Sequence, residues 1–351
     1  MRSKEAFHKR RASGMSFLMH EASHRLKKNA LMEINSMISW EKLRYRLGDL
    51  GRSGYGPQGY DPMKMVKALI LQAWHHLSDE GLEEALWVRL DFMAITGLTD
   101  VPDASTFCRF RNLLIQRNVM DKLLKVVNHQ LESKGLKVKE SQGAIIDATL
   151  ITSASRPRKE VDVIALDREE EALKAAQPSS ELKLSKDADA RWLKKGNKSY
   201  FGYKGFVLTD QEDGFIDHVH VTSANTSEMT ELAQILPQAS ARGRLYADKG
   251  YASKNNRDLL KGQGLKDGIM MKAYRNMPLR PSQKRFNRLI SKIRYKVEQT
   301  FGTLKRRFRF HRASYNTLPK VHGQMVFKAI ALNLLKAFNK ILVVTISPKS
   351  A

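Results

Sequence analysis

The sequence predicts an α/β chain: a mixed sheet with flanking helices, preceded by an all-helical N-terminal region. Three observations carry that prediction. From Pro62 to about Leu136, apolar residues recur at helical spacing between capping residues. At Gly143 the texture changes to short apolar runs separated by helical stretches. Near the end, residues 284–310 read as one amphipathic helix, crowded with Lys and Arg around a single acid, Glu298.

The totals narrow the function classes. A chain of 351 residues suits two or three modules. Its formal net charge is +25 and its pI about 10.0, an excess that attracts a polyanion, nucleic acid first. One cysteine, Cys108, excludes an internal disulfide and a multi-cysteine zinc site, which fits a reducing compartment. The N-terminus is basic without an apolar run, so it does not read as a signal peptide. The apolar stretch from Val321 to Ile346 is interrupted by Lys328, Lys336 and Lys340 and reads as a packed helix, with no membrane role.

In chain order, residues 1–28 read as a basic arm and 30–48 as a first helix. Gly51 to Pro62 is a Gly/Pro break. In the helical stretch, Ser78 caps SDEGLEEAL, and Asp103 or Ser105 caps DASTFCRFRNLL. The latter carries Arg109 and Arg111, and short helices with tight turns suit a helix-turn-helix DNA reader as well as a plain scaffold. AIIDATLI (144–151) is a buried strand with Asp147 at its middle; a carboxylate there needs a cation or hydrogen-bond donors. Residues 155–196 are charged and aperiodic, an insertion. The stretch 189–205 mixes Lys194, Lys195, Lys198 and Lys204 with Trp192, Tyr200 and Tyr203, a composition suited to a single strand or a flipped base. GFVLTD and FIDHVHVT form strands around an Asp213-Gly214 turn. Ser227 then caps a helix, RLYADKGYAS gives a strand ending at Asp248, residues 254–263 form a helix, and DGIMMKA (267–273) forms a last strand. In the long helix, Leu289, Ile293, Val297, Phe301 and Leu304 mark the buried stripe, and Gly302 is the first helix breaker. Arg294 and Glu298 share a face, to which Lys305 returns. On its own this helix reads first as a solvated basic surface whose Glu298 pairs with Arg294, and only second as a metal-binding acid set among cations.

That order of strands and helices fits a ribonuclease H-like sheet. There the fourth strand lies beside the first, and a late helix sets its acid beside both. Three carboxylates so placed need a cation, and two divalent ions ~4 Å apart would satisfy them, one activating a water or 3′-hydroxyl, the other stabilising the leaving oxygen.

Several motifs resemble one family. YDPMKMVKALILQAWHHLSDEGLEEAL and VPDASTFCRFRNLL resemble the helical N-terminal domain of DDE-class bacterial insertion-sequence transposases, nearest the insertion sequence 5 group. GAIIDATLI, KKGNKSYFGYKG, YADKGY and RYKVEQTFGTLKRRF resemble that family's catalytic motifs. The resemblance implies metal-binding catalytic Asp147, Asp248 and Glu298, with Arg294 and Lys305 as the accompanying cations. It implies Mg²⁺, with Mn²⁺ as a substitute, and a homo-oligomer that binds inverted-repeat ends and target DNA, cuts, and joins 3′-hydroxyls. Lys249, Lys204, Trp192, Arg306, Arg307, Arg109 and Arg111 are the further expected DNA contacts. The expected location is the cytoplasm, on the nucleoid when bound. Two positions depart from the family pattern: Ser291 stands where relatives carry Tyr, and Phe206 where many carry His. The expected division is 1–50 arm and first helix, 51–140 helical DNA-binding domain, 141–311 catalytic domain, and 312–351 C-terminal helical segment. A non-cutting DNA-binding descendant and a nuclease that never joins strands are the alternatives.

Overall fold

A computed structural model describes residues 29–48, 59–155, 186–239 and 241–346, with Leu26, Leu50 and Pro157. The basic arm, most of the Gly/Pro break and most of the charged insertion lie outside the described residues.

The helical region begins with α1 (Ala30–Ser36) and α2 (Trp40–Leu47), two helices where the sequence reading expected one. The chain breaks at Met37 to Ser39, and the Ser39 N–H donates to the Gln130 side chain at 2.6 Å instead of continuing a helix. Then follow α3 (Pro62–His75), α4 (Asp79–Val88), α5 (Leu90–Thr96), α6 (Ala104–Gln116) and α7 (Met120–Ser133). Asp61 caps α3 with Pro62 in its first turn, and Ser78 caps α4. Asp103, not Ser105, caps α6, accepting from the Thr106 N–H at 2.6 Å.

The sheet comprises β1 (Ser141–Thr152), β2 (Arg191–Lys195), β3 (Lys198–Asp210), β4 (Ile216–Ser223), β5 (Ala241–Ala247) and β6 (Lys266–Ile269). Its order is β2-β3-β1-β5-β6, with β4 pairing β3 beyond the end of β2. β1, β3 and β4 are antiparallel neighbours; β5 joins β1, and β6 joins β5, in parallel. Helices α8 (Glu228–Ile235) and α9 (Lys254–Gly262) make the crossovers that parallel strands require. This is the expected ribonuclease H-like sheet, mixed and helix-flanked. β2 is additional: it occupies the tail of the expected insertion and forms a hairpin with the start of β3. The β3–β4 turn is longer than a two-residue hairpin, because the buried Asp210 carboxylate accepts from the N–H groups of Asp213, Gly214 and Phe215.

Period-two alternation divides the sheet between two cores. Ala144, Ile146, Phe206 and Leu208 pack with Leu232 and Ile235 of α8 and Leu260 of α9. Ile145, Ile151, Tyr203 and Val207 face the other way, into a core shared with α10 (Pro281–Arg306), α11 (Leu318–Ile346) and the helical region. α11 is the expected packed helix, and it touches β4, α1, α3, α6 and α7 alike. At its centre Asn333 accepts from the Ile216 N–H and donates to Ile216 O and to Asn128 of α7, each within 2.9 Å. The stretch set apart as a C-terminal segment is therefore the strut between helical region and sheet.

α10 corrects two readings. It runs through Gly302 to Arg306. The helix penalty of one glycine, about 1 kcal/mol, is outweighed by burial of the neighbouring Phe301 and Leu304. Its stripe is Ile290, Arg294, Val297, Phe301 and Leu304; Leu289 is 54% exposed.

Arg111 is the third correction. It is only 3% exposed, with its guanidinium on Asp79 and Gln72 and over the Tyr315 ring at 4.3 Å. It ties α6 to α3 and α4, so it is not available to a phosphate. Replacing it with Ala would leave Asp79 without its cation, only Gln72 still donating to it, and lower folding stability by about 3 kcal/mol. A urea midpoint unchanged in Arg111→Ala would contradict that role.

Candidate active site

Asp147 sits where β1 leaves its partner β5. The parallel pairing ends at Ile145↔Tyr246, and Asp147 follows two residues later. β5 ends at Ala247, so Asp248 emerges beside Asp147 and caps the short turn Lys249–Tyr251. Parallel neighbours thus deliver two carboxylates to one end of the sheet.

α10 brings the cation. Arg294 Nη2 donates to Asp147 Oδ2 at 2.6 Å, and Nη1 lies 3.9 Å from Asp248 Oδ1. One guanidinium spans both acids, with Met270 Sδ at 3.6 Å on its other side. Arg294 therefore pairs with Asp147 and not with Glu298, which removes the solvated-helix reading of residues 284–310. Glu298, one turn on, is exposed. It borders a groove of about 660 Å³ together with Ala148, Lys204, Glu228 and Lys305.

Burial pushes the Asp147 carboxyl up to about 6; Arg294 opposes this, while Glu228 and Asp248 add to it. Glu228 is a fourth acid at the site. The sequence reading treated it only as an acid in the first turn of a Ser-capped helix, and that pattern gives no sign of an active-site position. It lies 3.6 Å from Lys204 Nζ and against Gly250, where a Cβ would push its carboxylate aside. Tyr251 was inside the YADKGY motif but unremarked. Its hydroxyl is fully buried without a hydrogen-bond partner, and burial first, then the charges of Asp147, Glu228 and Asp248, push its pKa well up.

The other expected contacts divide. Lys204 Nζ donates to Thr226 O at 2.7 Å beside the site. Lys305 borders the groove, and Lys249 is exposed next to Asp248. Arg306 and Arg307 are exposed at the end of α10, Arg307 over the Trp74 ring at 5.3 Å. Arg109 is exposed on α6, remote in sequence from this site. Trp192 pairs with Phe201 across the hairpin and packs on the core, on the face opposite Tyr200. Its ring is spent in packing, so Tyr200 is the hairpin aromatic facing the groove. The two departures from the family pattern are benign: Phe206 is fully buried under α8 and α9, and Ser291 is exposed near Met270.

Among the described residues no three His, Cys, Asp or Glu side chains are close enough together to hold a metal ion. The donors available are all carboxylates, which suit a hard divalent cation, and the charge on Asp147 is already opposed by two neighbouring acids. The residues thus fit such an ion in kind, and Arg294 supplies the compensating charge in this structure. No helix among the described residues is long and apolar enough to cross a membrane.

The comparisons agree with the motifs. A family model described as a transposase DDE domain matches residues 139–334, and one described as a transposase domain (DUF772) matches residues 19–113. The transposase for insertion sequence element IS1106 of Neisseria meningitidis serogroup B is 45% identical over 236 residues, covering 67% of this chain and 78% of that one. Among solved structures, a piggyBac transposase synaptic complex with hairpin DNA is 11% identical, covers 91% of this chain and 75% of that one, and has a TM-score of 0.45. The Mos1 strand transfer complex is 12% identical, covers 82% and 80%, and has a TM-score of 0.20. Neither structural likeness is close enough to carry a conclusion.

The raised Asp147 pKa has a testable sign. Asp147 holds its proton in the folded chain between about pH 4 and 6, where the unfolded chain has lost it, so this group makes stability fall as pH rises through that window. Carboxyl titration by NMR should place Asp147 near 6 and still higher in Arg294→Gln; an unmoved midpoint would show that the guanidinium does not govern it. The chain belongs to the insertion-sequence transposases with a DDE domain.

Proposed function

We propose that this transposase binds the terminal inverted repeats of its element, cuts at the ends and joins the freed 3′-hydroxyls to target DNA. The observation that carries the reading is the convergence of Asp147 and Asp248 on Arg294, with Glu298 one turn along the same helix. We assign the catalytic carboxylates to Asp147, Asp248 and Glu298, with Mg²⁺ as the ion and Mn²⁺ as its substitute. The bound ions would supply activation of the attacking oxygen and stabilisation of the leaving one.

The chain's own residues do the rest. Before an ion binds, Arg294 holds Asp147 and Asp248 in register, and Lys204 steadies Glu228 beside them. Tyr251 lies beneath the carboxylates with a hydroxyl to donate. The exposed Lys249, Arg306 and Arg307, with Lys305 in the groove, supply phosphate contacts. The exposed Arg109 on α6 is the remaining contact of the helical region. The resemblance to the insertion sequence 5 group supports action as a homo-oligomer on DNA. A bacterial cytoplasmic setting, on the nucleoid when bound, follows from such a substrate. Joining distinguishes this reading from a nuclease of the same fold, and cutting distinguishes it from a DNA-binding descendant; the metal-ligand chemistry of the acids favours cutting.

Two measurements test it. Affinity for DNA should fall steeply and log-linearly with salt, with a slope of roughly 0.9 per phosphate neutralised. A flat response would refute the electrostatic picture. A plasmid carrying the element's ends should be cut by wild type with Mg²⁺ and not with EDTA. Glu298→Gln should lower cutting by more than about a hundredfold, beyond the loss of a mere partner behind a metal ligand, while binding persists. Cutting unchanged in Glu298→Gln would remove Glu298 from the catalytic set.

A further inference from the structure

The groove beside the acids has a second wall that the catalytic assignment does not use. Beyond Asp147, β1 borders open space where β5 has ended, and Ala148, Leu150 and Thr152 form the floor. The β2–β3 hairpin forms one side. Strand alternation puts Leu193 opposite Tyr200 and Lys195 opposite Lys198 on one face, with Trp192 and Phe201 on the other. Leu193, Lys195 and Tyr200 therefore line the groove, and Lys204, two pleats along β3 from Tyr200, closes it near Glu228. The opposite side is the end of α10, with Glu298, Phe301 and Lys305, followed by His311.

The charge arrangement at the far end points to an anion. Lys195 and Lys305 come from opposite walls. The half-buried Lys305 has its pKa lowered by burial and then by the charge of Lys195. Two cations held in one groove against their mutual repulsion are relieved by a phosphate between them. The near end is acidic, with Glu228 and Glu298. A polyanion lying along the groove would thus be held at the lysine end and presented to the carboxylates at the other. The volume of about 660 Å³ lies within the roughly 300–1,000 Å³ that encloses one drug-sized ligand. That is room for one or two nucleotides of a single strand. Tyr200, with Leu193 beside it, offers the aromatic and apolar surface on which an unpaired base stacks.

We propose that this groove is a subsite for a single-stranded stretch of DNA adjoining the reacting phosphate, with a backbone phosphate between Lys195 and Lys305 and a base against Tyr200. The inference rests on the transposase reading and adds to it a preference for an unpaired end.

The test uses the full chain and two probes: a short blunt duplex, and the same duplex with a two-nucleotide thymidine 3′ overhang. Wild type should bind the overhang form about tenfold more tightly, the effect of one stacked base and its phosphate. Lys195→Ala and Tyr200→Ala should each remove most of that preference, leaving blunt-duplex affinity and the thermal midpoint close to wild type. Tyr200→Phe, which keeps the ring face, should retain the preference. A wild type without preference, or a preference that survives both alanine variants, would overturn the subsite. Failure of wild type to bind either duplex would instead overturn the transposase reading beneath it.

Discussion

The contact on which the site depends is Arg294 on Asp147, 2.6 Å long and shielded from water on most sides. A carboxylate in the middle of a strand is costly unless something answers its charge. A guanidinium on a buried helix stripe is costly for the same reason. Each group makes the other tolerable, and together they fix α10 against the end of β1. Removing either partner leaves a buried charge, a loss of about 3–5 kcal/mol for such pairs. Because Arg294 also reaches Asp248, the same contact sets the spacing between the two acids. Glu298 then reaches the groove only because it lies one turn further along a helix already anchored.

The anchoring of α10 extends beyond the sheet. Phe308 and Phe310 follow it into the shared core, and the buried Lys328 of α11 donates to Phe308 O at 2.7 Å. Burial pulls the Lys328 pKa down to about 8. Arg307 stacks on Trp74 of α3, so the C-terminal end of α10 rests on the helical region. With α11 packed against both, the helical region and the sheet share one hydrophobic core.

Much of this was legible in the residues. Asp147 inside AIIDATLI and Asp248 at the end of RLYAD announced themselves because an acid in or at the end of a buried strand demands a reason. Ser78, Asp103 and Ser227 cap the helices that follow them, a local signal that tertiary structure leaves alone. What was illegible depended on which way a face turned. Leu289 lost its place in the stripe to Ile290 because α10 buries the arc centred on Arg294. Arg111 and Arg109 look alike in sequence, yet the first is held by Asp79, thirty-two residues away, and the second faces water. Trp192 and Tyr200 are both aromatic residues in a basic stretch, and only hairpin register separates core from groove. Glu228 arrives from α8, on a crossover whose path over Gly250 no local pattern encodes.

Under the proposed function, Arg294 takes the place of the cation that Asp147 and Asp248 would hold. Anomalous scattering from crystals of the protein–DNA complex soaked in Mn²⁺ tests it most directly. The expected result is a manganese peak bound by Asp147 and Asp248, with Glu298 turned in to it and Arg294 withdrawn from Asp147 toward a phosphate. Manganese bound elsewhere, or an Arg294–Asp147 contact intact with no metal between the acids, would contradict it.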